Sequence, residues 1–347
     1  SAIDEKGMHA QGFFAYSADK SNSLTRSFLR FSSKPIIPQY QIIEADVVGC
    51  TLPTYVSQYP MAEKLKDNGI FFLNFPWTDF KGVESHLPAS MKRTLAKKKA
   101  KFYVINATEI AKKCGLNNKI STVIQAVYYH LTNILGEDWL KITEKWIDKE
   151  FGRLGEEICN KNKAAAFMAV TNLHEIKIPD SWLDAVDPPD AFASKTEISF
   201  MKEPTHPIPD YYKDVLKPTF ELSGASLPVS AFKDSLGGVS PIGETKWQKK
   251  GIAMTAPRWI PKNCIQCNNC SAICPHSVIR PFLLSSEEIA SIPNQLKDKL
   301  ETIKAKGKNI SDFHFTIQSS PYDCVECELC VAICPTKSLE MTPVSGT

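Results

Sequence analysis

Short apolar runs bounded by turn residues dominate the first half of the chain. Runs of four to eight such residues predict strands, and an alternation of apolar and polar residues predicts a strand with one buried face. The predicted strands lie at residues 12–16, 25–31, 42–50, 70–75 and 102–106. The alternation is clearest from Thr25 to Phe31, so this strand should carry polar residues on one face.

Helical patterns fill the intervals between these runs. Apolar residues recur every three or four positions along 120–135 and continue in 139–151, as in amphipathic helices. Pro88 suits the first turn of a helix, and Gly69 and Gly115 suit the positions after a helix ends. The predicted helices cover residues 59–68, 88–99, 107–114, 120–135, 139–151 and 162–170. Because strands alternate with helices, residues 1–178 should form an α/β domain with a mostly parallel sheet.

Prolines crowd the chain after about residue 178. They stand at Pro179, Pro188, Pro189, Pro204, Pro207, Pro209, Pro218 and Pro228. Proline fixes φ and removes a backbone donor, so it works against long regular elements. We therefore predict a proline-rich connector over residues 179–246, which ends in a small turn-rich clasp around Gly237 and Gly238.

Two cysteine runs near the C-terminus carry the clearest chemistry. Cys264 to Pro275 and Cys324 to Pro335 each read C-x2-C-x2-C-x3-C-P, an iron–sulfur pattern in which the fourth cysteine ligates the other cluster. The pattern predicts two [4Fe–4S] clusters. The first ligand set is Cys264, Cys267, Cys270 and Cys334, and the second is Cys324, Cys327, Cys330 and Cys274.

Structural zinc and disulfide bonds are the alternatives for these cysteines. Zinc sites usually pair two C-x2-C knuckles, without a third cysteine two residues further on. Disulfides are uncommon without a secretory signal, and the start of the chain, Ser1 to Asp4, carries no targeting pattern or initiator Met. We expect the chain to be a processed or excised segment. Cys50, Cys114 and Cys159 lie outside both runs and should be small buried hydrophobic residues.

The two cysteine runs belong to a repeated half-domain. Ile279 and the sequence Leu339-Glu340-Met341 follow the two runs at equivalent places and predict short strands. Residues 247–347 should therefore form an α+β domain of the bacterial ferredoxin type with a pseudo-two-fold axis. Between Cys274 and Cys324 lie 49 residues, more than a tight turn needs, and this insertion should contain a charged helix over 287–306.

Composition and charge narrow the function classes. The chain has 347 residues, 43% hydrophobic and 23% charged, which is ordinary for a globular protein of two or three domains. No apolar run reaches the roughly 18 residues of a membrane span, so we expect none. The net charge of +3 and the absence of zinc-finger, bZIP or RNA-binding motifs give no reason to expect a nucleic-acid partner.

Several stretches resemble a known family. They are Leu29-Arg30-Phe31, Phe72-Leu73-Asn74, Lys101-Phe102-Tyr103, Gln125-Ala126 and the run from Trp259 to Cys267. These residues resemble pyruvate:ferredoxin (flavodoxin or NADP) oxidoreductases and, more widely, 2-oxoacid:acceptor oxidoreductases. The resemblance covers the whole chain, which looks like a middle segment consisting of the γ or third domain followed by the two-cluster ferredoxin domain.

The resemblance implies an activity for the complete enzyme. A 2-oxoacid and coenzyme A would give acyl-CoA, carbon dioxide and two electrons, with thiamine diphosphate and Mg²⁺ bound by domains outside this segment. The segment would relay single electrons through its two clusters, without a catalytic residue of its own. Ferredoxin, flavodoxin or a fused flavoprotein would accept the electrons. The remaining domains of the same polypeptide and a second subunit of a homodimer would be its partners.

The resemblance also suggests a coenzyme A contact and a compartment. The family's γ part is associated with coenzyme A, which makes Lys20, Arg26 and Arg30 candidates for binding its phosphates. The alternative is a solvated surface loop that binds no phosphate. The protein should reside in the cytoplasm or in an organelle of mitochondrial descent, and it should not be secreted.

Two rival functions remain open at this point. One is a self-contained electron carrier with an accessory α/β domain. The other is an interaction module stabilised by zinc, which the presence of colour in the protein would exclude.

Overall fold

The computed structural model describes residues 6–16, 24–37, 39, 41–187, 210–233, 235–243, 247, 249 and 251–344. These residues belong to two compact units. The first takes its residues from Ser1–Ala15, Arg26–Ser194 and Lys213–Ala231. The second takes them from Tyr16–Thr25, Lys195–Tyr212 and Phe232–Thr347.

In the part of the N-terminal half that the structure describes, there are six strands. They are β1 (His9–Tyr16), β2 (Thr25–Ser32), β3 (Ala45–Cys50), β4 (Leu65–Asn74), β5 (Lys101–Ile105) and β6 (His174–Ile176). β1 and β2 form a two-stranded sheet, while the other four are ordered β3-β4-β5-β6. β4 pairs in parallel with both β3 and β5, and β6 runs antiparallel to β5 at the edge. The sheet is therefore mostly parallel, as the sequence predicts, with one antiparallel edge strand.

Eight helices accompany these strands in the described residues. They are α1 (Tyr55–Gln58), α2 (Phe80–His86), α3 (Ala89–Lys97), α4 (Ala107–Lys113), α5 (Ser121–Thr132), α6 (Trp139–Phe151), α7 (Glu156–Thr171) and α8 (Lys217–Phe220). The helices predicted at 88–99, 107–114, 120–135 and 139–151 are present with shifts of a few residues at their ends. The helix predicted at 162–170 begins earlier, directly after Gly155, whose φ of 101° ends the preceding turn.

The helix predicted over 59–68 is wrong. Residues 61–64 form turns, and β4 begins at Leu65, which pairs with Ala45. The register then shifts by a bulge so that Ile70 pairs with Val47, and Asn68 takes a left-handed φ of 59°. Leu65 is fully buried, so pairing and burial in the sheet outweigh the local helical pattern.

Helices cover both faces of the main sheet because successive strand residues point to opposite sides. On one face, Phe72 joins the apolar side chains of α4, α5 and α7, including Ile110, Val123 and Ala165. On the other, the rings of Phe71 and Phe102 lie 5.7 Å apart between centroids and are tilted by 47°, and Phe102 lies 6.4 Å from Trp182. A Cβ on Gly49 would lie 2.2 Å from the Phe72 ring, so this strand position requires glycine.

A buried amide holds the carboxyl edge of the sheet together. Asn74, at the end of β4, donates from Nδ2 to the Thr51 carbonyl at 2.9 Å. Its Oδ1 accepts from the backbone N–H of Ala107 at 2.9 Å, where α4 begins. The residue is 3% exposed, so both backbone groups would lose a partner if it were removed.

The predicted connector contains more helix than its prolines suggest. Within its described part, a π-helical turn at Tyr212–Leu216 runs into α8. Pro218 is tolerated because it stands in the first turn of α8, where its missing N–H costs little. Residues 188–209 of the connector lie outside the described residues.

The C-terminal unit contains two matching halves. Its elements are β7 (Thr255–Trp259), α9 (Asn269–Ile273), β8 (Ile279–Leu284), α10 (Ser286–Ser291), α11 (Asn294–Lys297), β9 (Ile303–Lys304), β10 (His314–Ser319), α12 (Leu329–Ile333) and β11 (Leu339–Pro343). β7 pairs antiparallel with β11, and β8 pairs antiparallel with β10, which also pairs with β9. The first strand of each half thus pairs with the last strand of the other half, as the pseudo-two-fold symmetry of a ferredoxin-like domain requires.

The single charged helix predicted over 287–306 is also wrong. Ser285 and Glu288 form a capping box that starts α10 well, but this helix ends at Ser291. Ile292 is extended, at φ −64° and ψ 134°, because the residue before Pro293 avoids helical backbone. The insertion therefore contains two short helices and the strand β9. In the described part of the chain, no helix is both long and apolar enough to cross a membrane.

Candidate iron–sulfur site

Both cysteine loops repeat the same backbone conformation. Each begins with a 3₁₀ turn, at Pro261–Asn263 and at Pro321–Asp323. The loops then place non-glycine residues at positive φ in equivalent positions, and these pairs are Gln266 with Glu326, Asn268 with Glu328 and Ser277 with Lys337. Left-handed backbone costs a non-glycine residue about 1 kcal/mol or more and persists where the surroundings enforce it. Its exact repetition in two loops indicates a shared demand on their shape.

Those turns direct backbone N–H groups at the cysteine sulfurs. Gln266 N lies 3.4 Å from Cys264 Sγ, and Glu326 N lies 3.4 Å from Cys324 Sγ. The fourth cysteines accept in the same way, Cys274 from Val278 N at 3.3 Å and Cys334 from Ser338 N at 3.1 Å. Backbone donors of this kind stabilise thiolates, the form that ligates iron.

The first predicted ligand set comes together around Cys270. Burial raises the pKa of Cys270, and the neighbouring thiols of Cys334, Cys264 and Cys267 raise it further. Three of these cysteines belong to one run and Cys334 to the other. At Cys334 burial opposes the thiolate, but hydrogen bonds from Ser338 and Thr336 outweigh it and lower the pKa.

The second predicted set comes together around Cys330. Burial raises the pKa of Cys330 to about 12, with further contributions from Cys324, Cys327 and Cys274. These four cysteines also line one cavity that opens to solvent. Its other walls are formed by Pro257, Pro275, His276, Val278, Ile279, Val325, Glu328, Leu329 and Met341. A compact inorganic group held by four thiolates fits the donor set of this cavity.

The arrangement differs from a site for a single metal ion. In the described residues, no group of three or more His, Cys, Asp or Glu side chains is placed to hold one ion. A cubane makes no such demand, because each thiolate binds a different iron and the sulfurs stay further apart than around one zinc ion.

The two sets differ in exposure and charge. Ile265, beside the first set, is 49% exposed, whereas the equivalent Val325 is 3% exposed. Cys267 is likewise exposed, while Cys327 is half-buried. The loop of the second set carries Glu326 and Glu328 where the first has the neutral Gln266 and Asn268.

Two of the three residues predicted to bind coenzyme A lie among the described residues. Arg26 and Arg30 stand on β2 two residues either side of Phe28, so they share its face of the strand. Arg26 lies 5.8 Å from the centroid of the Phe28 ring, and Arg30 donates to Gln11 Oε1 at 2.7 Å. Lys64 approaches the same ring at 5.6 Å, a cation that sequence reasoning missed because it lies far along the chain. Lys20 lies outside the described residues.

The three remaining cysteines lie apart from both sets. Cys50 and Cys159 are buried, as predicted, and Cys114 is half-buried. Burial raises the pKa of Cys50 to about 12, and its thiol donates to the Leu52 carbonyl.

Comparisons with known proteins find similarity along almost the whole chain. Residues 1–171 match the family described as pyruvate ferredoxin/flavodoxin oxidoreductase, and residues 263–338 match a 4Fe-4S dicluster domain. Residues 199–253 match a domain of unknown function. The chain belongs to the pyruvate ferredoxin/flavodoxin oxidoreductase family.

Among its relatives, the pyruvate:ferredoxin oxidoreductase of Moorella thermoacetica is 42% identical over 98% of this chain and 28% of its own length. The pyruvate-flavodoxin oxidoreductase of Klebsiella pneumoniae is 36% identical over 97% of this chain and 28% of its own. The pyruvate dehydrogenase [NADP(+)] of Cryptosporidium parvum is 35% identical over 96% of this chain and 18% of its own. The chain thus spans less than a third of each of these relatives.

Proposed function

We propose that the chain is the electron-relay segment of a pyruvate or other 2-oxoacid oxidoreductase. The observation that supports this most directly is the grouping of eight cysteines into two sets of four, in a chain similar from end to end to such enzymes. Two [4Fe–4S] clusters bound there would each accept and donate one electron at a time. The residues that would hold them are the two sets predicted from the sequence.

The chain's own residues would stabilise and orient these groups. Four backbone N–H groups at 3.1–3.4 Å donate to the cysteine sulfurs, which favours the thiolates that bind iron. Cys324 and Cys330 are each 8% exposed, so the protein shields these two ligands of the second set from bulk water. The complete enzyme would carry out CoA-dependent oxidative decarboxylation, with thiamine diphosphate and Mg²⁺ bound outside this segment.

The differences between the sets support a direction for the relay. The charges of Glu326 and Glu328 oppose further negative charge near the second set and so lower its reduction potential. The first set has neutral equivalents and an exposed Cys267. Electrons would therefore pass from the second set to the first and leave there for ferredoxin, flavodoxin or a fused flavoprotein.

The β2 strand supports a second, more local proposal. Arg26 and Lys64 place positive charge beside the Phe28 ring, and Arg30 lies on the same face of β2. Guanidinium and ammonium groups bind phosphate oxygens, and an aromatic ring can stack on an adenine. We therefore retain a coenzyme A contact at this strand, with Lys20 as a further candidate. Replacing Arg26 or Lys64 by Gln should raise the KM for coenzyme A in the complete enzyme and leave cluster content unchanged.

The decisive experiment is an anaerobic absorption spectrum with iron and sulfide analysis, before and after dithionite. A broad band near about 400 nm that bleaches on reduction, with about eight irons per chain, would support the relay. A colourless protein that contains about two zinc ions would exclude it. The domain limits 1–178, 179–246 and 247–347, the homodimer and the compartment, cytoplasm or an organelle of mitochondrial descent, remain predictions.

A further inference from the structure

One buried polar atom in the cavity of the second set has no partner. Among the described residues, four buried side-chain atoms lack a hydrogen bond, namely Trp146 Nε1, Ser235 Oγ, Trp259 Nε1 and His276 Nε2. Of these four residues, only His276 lines the cavity with Cys274, Cys324, Cys327 and Cys330. Leaving a buried polar group unpaired costs about 1–3 kcal/mol, so such a group calls for an explanation.

The repeat within the domain supplies one. His276 stands two residues after Cys274, and Thr336 stands two residues after Cys334. The Thr336 hydroxyl lies 3.9 Å from Cys334 Sγ and 2.7 Å from the Ser338 hydroxyl. In the first half of the repeat, Val278 replaces Ser338, so the hydroxyl pair is missing. The side chain in the equivalent position is instead an imidazole that lines the cavity of the second set and has an unpaired ring nitrogen.

We propose that His276 donates a hydrogen bond from Nε2 to a sulfur of the cluster held by the second set. The inference rests on the proposed function, because it needs a cluster in that cavity. A ring N–H so placed favours the more negative, reduced form of the cluster, so it raises the reduction potential. It would partly offset Glu326 and Glu328 and bring the two clusters closer in potential, which keeps the transfer between them reversible.

The test is a redox titration of the whole protein, purified without oxygen and followed by electron paramagnetic resonance. The variants are His276→Phe, which keeps a ring but no donor, and His276→Gln, which keeps an N–H at a similar distance. Thr336→Val is the matched control in the other half of the repeat. Iron and sulfide are counted for each variant so that loss of a cluster is separated from a shift in its potential.

In His276→Phe we expect one of the two reduction potentials to become more negative by about 59 mV. This shift corresponds to a tenfold change in the one-electron equilibrium constant. His276→Gln should restore more than half of this shift, and Thr336→Val should move the other potential. In ¹⁵N-histidine-labelled protein, a nitrogen coupling to the reduced cluster should be present in the wild type and absent in His276→Gln.

Unchanged potentials in His276→Phe at full iron content would overturn the hydrogen bond while leaving the relay intact. Equal shifts in the Phe and Gln variants would show that packing, and not a donor, sets the potential. If His276→Phe loses its cluster, the labelled wild type decides, since the absence of nitrogen coupling there would refute the proposal. A wild type without iron would refute the proposed function itself.

Discussion

The exchange of the fourth cysteine between the two runs can be tested by counting clusters in double variants. Cys270 lies near Cys264, Cys267 and Cys334, and Cys330 lies near Cys324, Cys327 and Cys274. Replacing Cys267 and Cys334 by Ala removes two ligands from one set and none from the other. Replacing Cys327 and Cys334 by Ala removes one ligand from each.

The two double variants should therefore differ in a way that is easy to measure. Cys267→Ala with Cys334→Ala leaves one complete group of four thiolates, so about four irons and one unaltered [4Fe–4S] signal should remain of about eight irons and two signals. Cys327→Ala with Cys334→Ala leaves no complete group, so no unaltered four-iron cluster should be found. Iron and sulfide analysis with electron paramagnetic resonance of the reduced proteins measures both quantities.

A third variant and a control complete the design. Cys274→Ala with Cys327→Ala should again leave one intact cluster, the other one. Cys114 lies outside both sets, so the control Cys114→Ala should retain both clusters. If instead Cys327→Ala with Cys334→Ala keeps one intact cluster and Cys267→Ala with Cys334→Ala keeps none, each run ligates its own cluster and the grouping seen in the structure is not the ligation.

Two further predictions concern the α/β unit. Gly49→Ala should lower the free energy of unfolding by about 1–3 kcal/mol, because its Cβ would lie 2.2 Å from the Phe72 ring. As a control, a Cβ on Gly152 would meet open space, and the φ of this residue is a helical −54°, so Gly152→Ala should be neutral or slightly stabilising. Equal urea midpoints for the two variants would contradict the packing argument. Cys50, with a pKa raised to about 12 by burial, should be about one part in 10,000 thiolate at pH 8 and resist iodoacetamide in the native protein. Peptide mapping should show it alkylated only after unfolding, and rapid native alkylation would refute this burial.

The failures of sequence reasoning have a common cause. The stretch 59–68 reads as a helix, but Leu65 is captured by pairing with Ala45, a partner 20 residues away. The stretch 287–306 reads as one charged helix, although Pro293 divides it and Ile303 joins a strand beside β10. In the connector, Pro218 permits a helix because it falls in the first turn. Local propensity amounts to a few tenths of a kcal/mol per residue, and long-range pairing overrides it.

What the sequence determined by itself was the chemistry. Cysteine spacing is a local property, because ligands two or three residues apart must wrap around one group wherever the domain lies. The repeat, the strands after each C-P and most helices of the α/β unit followed from local patterns in the same way.

Only the tertiary structure decided how the sites differ from one another. It buried Val325 while exposing Ile265, brought Lys64 to the ring of Phe28, and placed the unpaired nitrogen of His276 in the wall of one cavity. These properties depend on which distant residues meet, and a one-dimensional pattern of residues does not specify those meetings.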